Sequence, residues 1–491
     1  MKNKLLGMTA LGFLVSAFLL LPLAPARADS VDERIKALEQ ELTRLKGEQI
    51  ELKKEVVAAA PQLPTFSYRP GGGMTITAAD QSWAIRFMYE FNMDMTWLEG
   101  QDAVRNGDFE LFGRRNRPFF IYFWDRGFYE FHAAMDMDAG DATEIQRARY
   151  YINLQQLNPW LPRFQFGMDV GAALNVYDQG SSSTAATIEY PLIRRDNGFN
   201  TGAHTGIGFE WARLPGVIFP GQWFFSYYWV IQGMGRADGD TDQSSKSDHV
   251  VWLHVQPFTE SKIKWLSGLG MNVGVWFGNP DERNATNPNR RLRLRNQLGP
   301  NRITLFDSGN DIDRGLHTYI TPGLGYKVGP YNLMVSGGFD RWNSSDRSVG
   351  AEKAGRPGEV GRIQGTFYKI INELFIWSPK GLLTGSTTTP NSLLMGWSFE
   401  RSWAECGRPN CDETVTAGGA QFSRNRVLVR ELDFRYFFRP SLSMLLAWRW
   451  YDASNVPTTT QPVIGCSKNN NTQVGKDCDW HDVALRFAWE W

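Results

Sequence analysis

Residues 83–97 read Trp83-Ala84-Ile85-Arg86-Phe87-Met88-Tyr89-Glu90-Phe91-Asn92-Met93-Asp94-Met95-Thr96-Trp97, and their alternation decides the fold. Every odd position is apolar, from Trp83 to Trp97, while Arg86, Glu90, Asn92, Asp94 and Thr96 sit between them. Successive side chains of a strand point to opposite faces, so one face is greasy and tipped by Trp at both ends, and the other is charged. A strand of a soluble sandwich is usually shorter. A tilted strand needs about 9–11 residues to cross a bilayer, and this run is long enough. The stretch predicts a membrane-spanning strand.

The other end of the chain repeats the pattern. Val483, Leu485, Phe487, Trp489 and Trp491 alternate with Asp482, Ala484, Arg486, Ala488 and Glu490. Fourteen further strands are expected near 111–123, 128–137, 146–156, 164–176, 203–213, 223–234, 249–257, 264–277, 316–327, 331–342, 363–377, 393–403, 426–438 and 442–451. Short links such as Asp125-Arg126-Gly127, Val328-Gly329-Pro330 and Arg439-Pro440-Ser441 alternate with long polar ones. The long ones are 177–202, 235–248, 278–315, 343–362, 404–425 and 452–480. Short turns at one end and long loops at the other are the habit of a transmembrane barrel. The expected fold is therefore all-β: an antiparallel up-and-down transmembrane β-barrel over 82–491, with about sixteen strands and eighteen as the alternative. With sixteen, every long loop falls on one side.

Composition agrees. The 491 residues include 19 Trp and 31 Phe, yet mean hydropathy is only -0.36, as lipid-facing and water-facing residues average out. Formal net charge is zero, so no whole-chain field points to nucleic acid. Residues 1–28 read as a signal peptide: Lys2 and Lys4, an apolar Leu5–Leu23, then Ala26-Arg27-Ala28. Residues 29–57 carry a heptad seam, with Val31, Ile35, Leu38, Leu42, Leu45, Gln49, Leu52 and Val56 alternately four and three apart. Ile35, Leu38, Leu42, Leu45 and Leu52 are the expected oligomerisation contacts, because a lone helix of this length is marginal in water. Residues 58–81, with Pro61, Pro64, Pro70 and Gly71-Gly72-Gly73, read as a flexible tether. Cys406 with Cys411 and Cys466 with Cys478 are candidate disulfides in polar loops, the usual use of paired cysteines in an exported chain.

Chemistry-bearing residues are mostly arginines. Between Arg283 and Phe306 there is no acid, but Arg290, Arg291, Arg293 and Arg295 are present. Arginine's planar, permanently charged fork suits oxyanions, so this loop would favour anions if folded into the lumen; an exposed loop touching lipopolysaccharide phosphates is the alternative. Arg86, Arg114, Arg115, Arg147, Arg149, Arg194 and Arg195 complete the pore-lining candidates, although strict alternation forbids adjacent Arg114 and Arg115 from sharing a face. Inward arginines could instead pair with Asp94, Glu130 or Asp136. The six histidines (His132, His204, His249, His254, His317, His481) form no recognisable triad or metal spacing. No enzyme activity, metal or cofactor is expected.

Phe112-Gly113-Arg114-Arg115-Asn116-Arg117, together with the export signal, heptad helix and long first strand, resembles the phosphate-selective porin O and P family. That resemblance implies a homotrimeric sixteen-stranded outer-membrane channel whose loops after the fifth and ninth strands fold inward and whose basic residues constrict the pore. Here those loops are 177–202 and 278–315. The chain departs from the family at Gly167-Met168-Asp169-Val170-Gly171, which lacks the expected lysine-containing run, and no lysine-rich loop is present. The expected partners are outer-membrane lipid, lipopolysaccharide, copies of itself and small ions or solutes, with the heptad helix in the periplasm. The alternative is the barrel component of a larger conduit with a periplasmic or cytochrome partner.

Overall fold

The computed structural model describes residues 36, 38–49, 63–99, 109–137, 144–168, 205–212, 222–231, 247–278, 293–295, 304–307, 315–344, 362–406, 425–456 and 476–491. They fall into two units, Met1–Leu63 and Pro64–Trp491.

The second unit is a closed barrel of sixteen antiparallel strands. They are β1 (Trp83–Glu99), β2 (Phe109–Trp124), β3 (Tyr129–Asp136), β4 (Glu144–Asn153), β5 (Arg163–Met168), β6 (Thr205–Ala212), β7 (Gln222–Ile231) and β8 (Ser247–Gln256). Then come β9 (Leu269–Gly278), β10 (Gly315–Val328), β11 (Tyr331–Ser344), β12 (Arg362–Ser378), β13 (Ser392–Cys406), β14 (Asn425–Arg439), β15 (Leu442–Val456) and β16 (Lys476–Glu490). Each strand pairs with the next, and β16 pairs with β1 from His481↔Glu99 to Glu490↔Glu90. Trp491 and Tyr89 then exchange backbone hydrogen bonds of 2.7 and 2.8 Å. Closure removes every open edge between barrel strands, the condition for a sheet in hydrocarbon.

Burial inverts the habit of a soluble protein. In β14 the buried positions are Val427, Val429, Glu431, Asp433, Arg435 and Phe437, while Phe434 and Phe438 are exposed. In β16 Asp482, Ala484, Arg486 and Ala488 are buried, and Phe487, Trp489 and Trp491 face out. The outer wall carries a cross-strand row of Trp397, Leu432, Trp448, Val483, Trp97 and Phe109. At the short-turn end Tyr122, Trp124 and Tyr129 stack at 5.4 and 5.3 Å. Such outward aromatics match the girdles of a membrane barrel.

All sixteen expected strands overlap observed ones. The ninth, expected from 264, begins at Leu269 because the stretch before it turns, with Ser261 N–H bonding Phe258 O at 2.9 Å and Leu266 N–H bonding Ile263 O at 3.0 Å. The fifth is described as Arg163–Met168 only.

Two expectations need correction. Residues 58–81 are not a tether throughout: Thr65–Arg69 and Gly73–Thr77 form a hairpin. Its second strand pairs with β1 from Met74↔Phe87 to Thr77↔Ala84, the length of β1 that β16 does not reach. Gly73 permits this, since φ is +75° and a Cβ there would lie 2.0 Å from the Phe87 carbonyl oxygen. The turn into β1 is held by Asp80, which accepts from the Ser82 hydroxyl at 2.7 Å and its N–H at 3.0 Å. Those bonds, the hydroxyl's first, hold the Asp80 carboxyl below its usual range. The second correction concerns β2. Asn92 pairs with Arg115 and Met93 with Gly113, so Arg114 is the extra residue of a β-bulge. Strict alternation does not hold across it.

In the first unit residues 38–49 form a helix. Arg44 pairs with Glu41 at 2.7 Å and Glu48 at 3.3 Å. Leu38, Leu42 and Leu45 are exposed at 66, 55 and 50%. Ile35, Leu52 and the signal-peptide stretch lie outside the described residues.

Candidate functional site: the inner wall of the barrel

The candidate site is the inner wall, where alternation turns every second side chain toward the enclosed space. Many of its charges are arranged in pairs. Along β12 to β16 and β1 they are almost wholly shielded. Arg486 grips Asp94 through two bonds of 2.7 Å across the closing seam, both side chains at 0% exposure. Arg449 grips Asp482 at 2.8 and 3.0 Å. Lys369 lies 3.8 Å from Glu400. Glu431 accepts from Ser398 at 3.2 Å, and Asp433 and Arg435 are buried beside it on the same face of β14. Bidentate arginine–carboxylate pairs fix geometry as well as charge.

From β1 to β7 the inner wall is more open and mixes arginine with aromatic rings. Arg115 donates to Glu90 at 2.8 Å. Arg163 donates to Glu130 at 2.6 Å and its guanidinium lies 3.7 Å from the Tyr151 ring centre. Arg149 lies 5.3 Å from that ring, Arg147 6.0 Å from Phe119 and Arg86 5.5 Å from Phe123. Glu210 accepts from Tyr228 at 2.6 Å and Gln165 at 3.1 Å. Ring faces attract cations, so each ring is a partner for the guanidinium beside it.

Of the sequence candidates, Arg86, Arg115, Arg147 and Arg149 are brought onto one inner surface, as cross-strand pairs such as Ala134↔Arg147 and His132↔Arg149 require. Arg114 sits at the bulge. Asp94 and Glu130 are paired, but with Arg486 and Arg163, which were not among the candidates. Arg194, Arg195, Arg290 and Arg291 lie outside the described residues. Arg293–Arg295 pairs with Thr304–Asp307 as a small hairpin. The Thr304–Asp307 strand approaches β15, with Cα atoms within 8 Å. That is five strands round the wall from β10, into which the segment leads. Cys406 ends β13 and Cys478 lies in β16, while Cys411 and Cys466 are outside the described residues.

Sequence reasoning missed Arg163, Lys369, Arg435, Arg449 and Arg486 as site residues. The alternation Glu431-x-Asp433-x-Arg435 carried the signal. The histidines are dispersed: His317 meets Asp340 at 2.6 Å, His132 meets Glu130 at 2.9 Å, and His481 meets Glu99 at 3.1 Å. Among the described residues no cluster of three His, Cys, Asp or Glu could hold a metal.

No family model matches the chain, and no curated protein matches it. Solved structures do. A loop L8 deletion mutant of OmpT, an outer membrane protein of Vibrio cholerae, is similar at 9% identity and a TM-score of 0.47, covering 84% of this chain and 100% of that one. The outer membrane channel DcaP of Acinetobacter baumannii gives 8% and 0.47, covering 83% and 98%. Salmonella typhi OmpF, in complex with daunomycin, gives 8% and 0.46, covering 84% and 98%. These likenesses assign no family.

Proposed function

We propose that the protein is an outer-membrane porin, a water-filled channel for small hydrophilic solutes. One observation carries this reading: a closed sixteen-strand wall is charged on its inner face and apolar on its outer face. Only an enclosed aqueous space gives such an inner face a role, and only hydrocarbon suits the outer one. The N-terminal helix belongs to the periplasmic side in this reading, and its exposed leucines support association into a homotrimer. Purified protein added to a planar bilayer is expected to give discrete, ohmic conductance steps. Insertion without conductance would end the proposal.

The finer reading is anion preference, phosphate included. Its supports are Arg86, Arg115, Arg147 and Arg149 on the open inner surface and the arginine-rich Arg293–Arg295 segment, whose hairpin partner approaches β15. Reversal potentials under a salt gradient are expected to favour chloride and phosphate. In Arg147→Gln/Arg149→Gln that preference should fall with conductance retained. A cation-selective wild type would remove the anion reading and leave the channel.

A further inference from the structure

The outer wall carries arginines of its own where β13 and β14 rise toward the long loops. Arg401 on β13 and Arg426 and Arg430 on β14 all occupy outward positions, since their neighbours Glu400, Ser402, Val427, Val429 and Glu431 are buried on the inner face. Arg401 stands opposite Leu428, midway between Arg426 and Arg430. Diagonal cross-strand neighbours are about 7–8 Å apart, so the three guanidinium groups can converge on one anion. Among the described residues none of the three makes an ion pair, whereas Arg115, Arg163, Arg449 and Arg486 on the inner wall each do. Aromatic side chains interleave with them: Phe399 and Trp403 flank Arg401 on β13, Tyr368 packs on both at 5.8 and 6.3 Å, and Trp450 stands opposite Arg430. Two outward carboxylates border the cluster at the same diagonal spacing: Asp452, opposite Leu428 and diagonal to Arg426 and Arg430, and Glu405, two residues beyond the Trp403 that stands opposite Arg426.

The geometry points to a binding site for the phosphate monoester of a membrane lipid, on the outside of the barrel at the long-loop end. An apolar band that meets aromatic rings and then arginines marks the level where acyl chains give way to headgroups. A monoester is a dianion at neutral pH, as phosphorylated side chains are, and three convergent guanidinium groups match it better than the monoanion of a phosphodiester headgroup. Arginine's fork bonds phosphate oxygens in pairs. The occupant is thus a phosphorylated glycolipid of the leaflet facing the long loops. The inference needs the barrel to span a membrane and does not need it to conduct.

The test uses the purified full-length protein in detergent micelles and native mass spectrometry. The probes are a glycolipid bearing phosphate monoesters, its dephosphorylated form, phosphatidylglycerol and inorganic phosphate. Wild type should retain the monoester glycolipid, and the R401Q/R426Q/R430Q variant should retain at least about tenfold less, as expected for lost charge-assisted bonds. The corresponding triple lysine variant should recover most of the retention, and the dephosphorylated lipid should not distinguish the proteins. Single-channel conductance should be unchanged in all of them, because these side chains point away from the lumen. Equal retention by the glutamine variant would overturn the site. So would displacement of the glycolipid by millimolar inorganic phosphate, or equal retention of phosphatidylglycerol. If the triple variant fails to migrate as a folded barrel on a semi-native gel, R401Q alone carries the same comparison.

Discussion

Arg486 and Asp94 stand 392 positions apart in sequence and meet at the one seam where the sheet closes on itself. Both are fully shielded, so removing one partner strands the other charge without water. Arg486→Ala is expected to destabilise the barrel by about 3–5 kcal/mol, the usual cost of breaking a buried pair. Replacing both with Arg486→Met and Asp94→Leu should cost much less, because no charge is left behind. Urea unfolding followed by tryptophan fluorescence measures both; equal losses in the single and double variants would mean the pair is not what holds the seam. The inward direction of both residues was legible from alternation alone. Their partnership was not, because register across a closure depends on every strand between them.

At the scale of elements, the sixteen strands were legible because a barrel wall repeats one rule, apolar out and polar in, with polar turns between. The exceptions are where local backbone departs from that rule. The Gly71-Gly72-Gly73 run looked like a tether, yet its positive φ values at Gly71 and Gly73 make the turn of a hairpin that continues the sheet along β1. Gly73→Ala would push a methyl onto the Phe87 carbonyl. It should therefore free Thr65–Thr77 to exchange its amide hydrogens while β2–β16 stay protected. The bulge at Arg114 gives a sharper contrast. Deleting Arg114 removes the one residue without a partner, leaving Met93↔Gly113 and Asn92↔Arg115 intact and adjacent, so the barrel should still fold. Deleting Ala447 from β15 would turn half that strand inside out, since a one-residue slip exchanges the two faces. Heat-modifiable migration on semi-native gels should survive the first deletion and vanish in the second.

For the whole molecule, inner and outer walls divide the labour of charge. On the inner wall Arg115, Arg163, Arg449 and Arg486 each meet a carboxylate, while Arg86, Arg147 and Arg149 lie near aromatic rings and keep their positive charge. On the outer wall Arg401, Arg426 and Arg430 face away from the enclosed space. The N-terminal helix follows neither pattern, since it buries none of its described residues and keeps Leu38, Leu42 and Leu45 on one seam facing water. A stripe of that kind is stabilised only by other helices, and the heptad spacing supplies the geometry for copies of the same chain. Replacing Leu38, Leu42 and Leu45 with Asp puts like charges on that seam and should split the proposed homotrimer into single barrels. Sedimentation of the detergent-solubilised protein would show the mass per particle fall to one chain, while conductance per barrel in bilayers stays the same. An assembly whose mass is untouched by the three aspartates would place the oligomer contacts on the barrel walls instead.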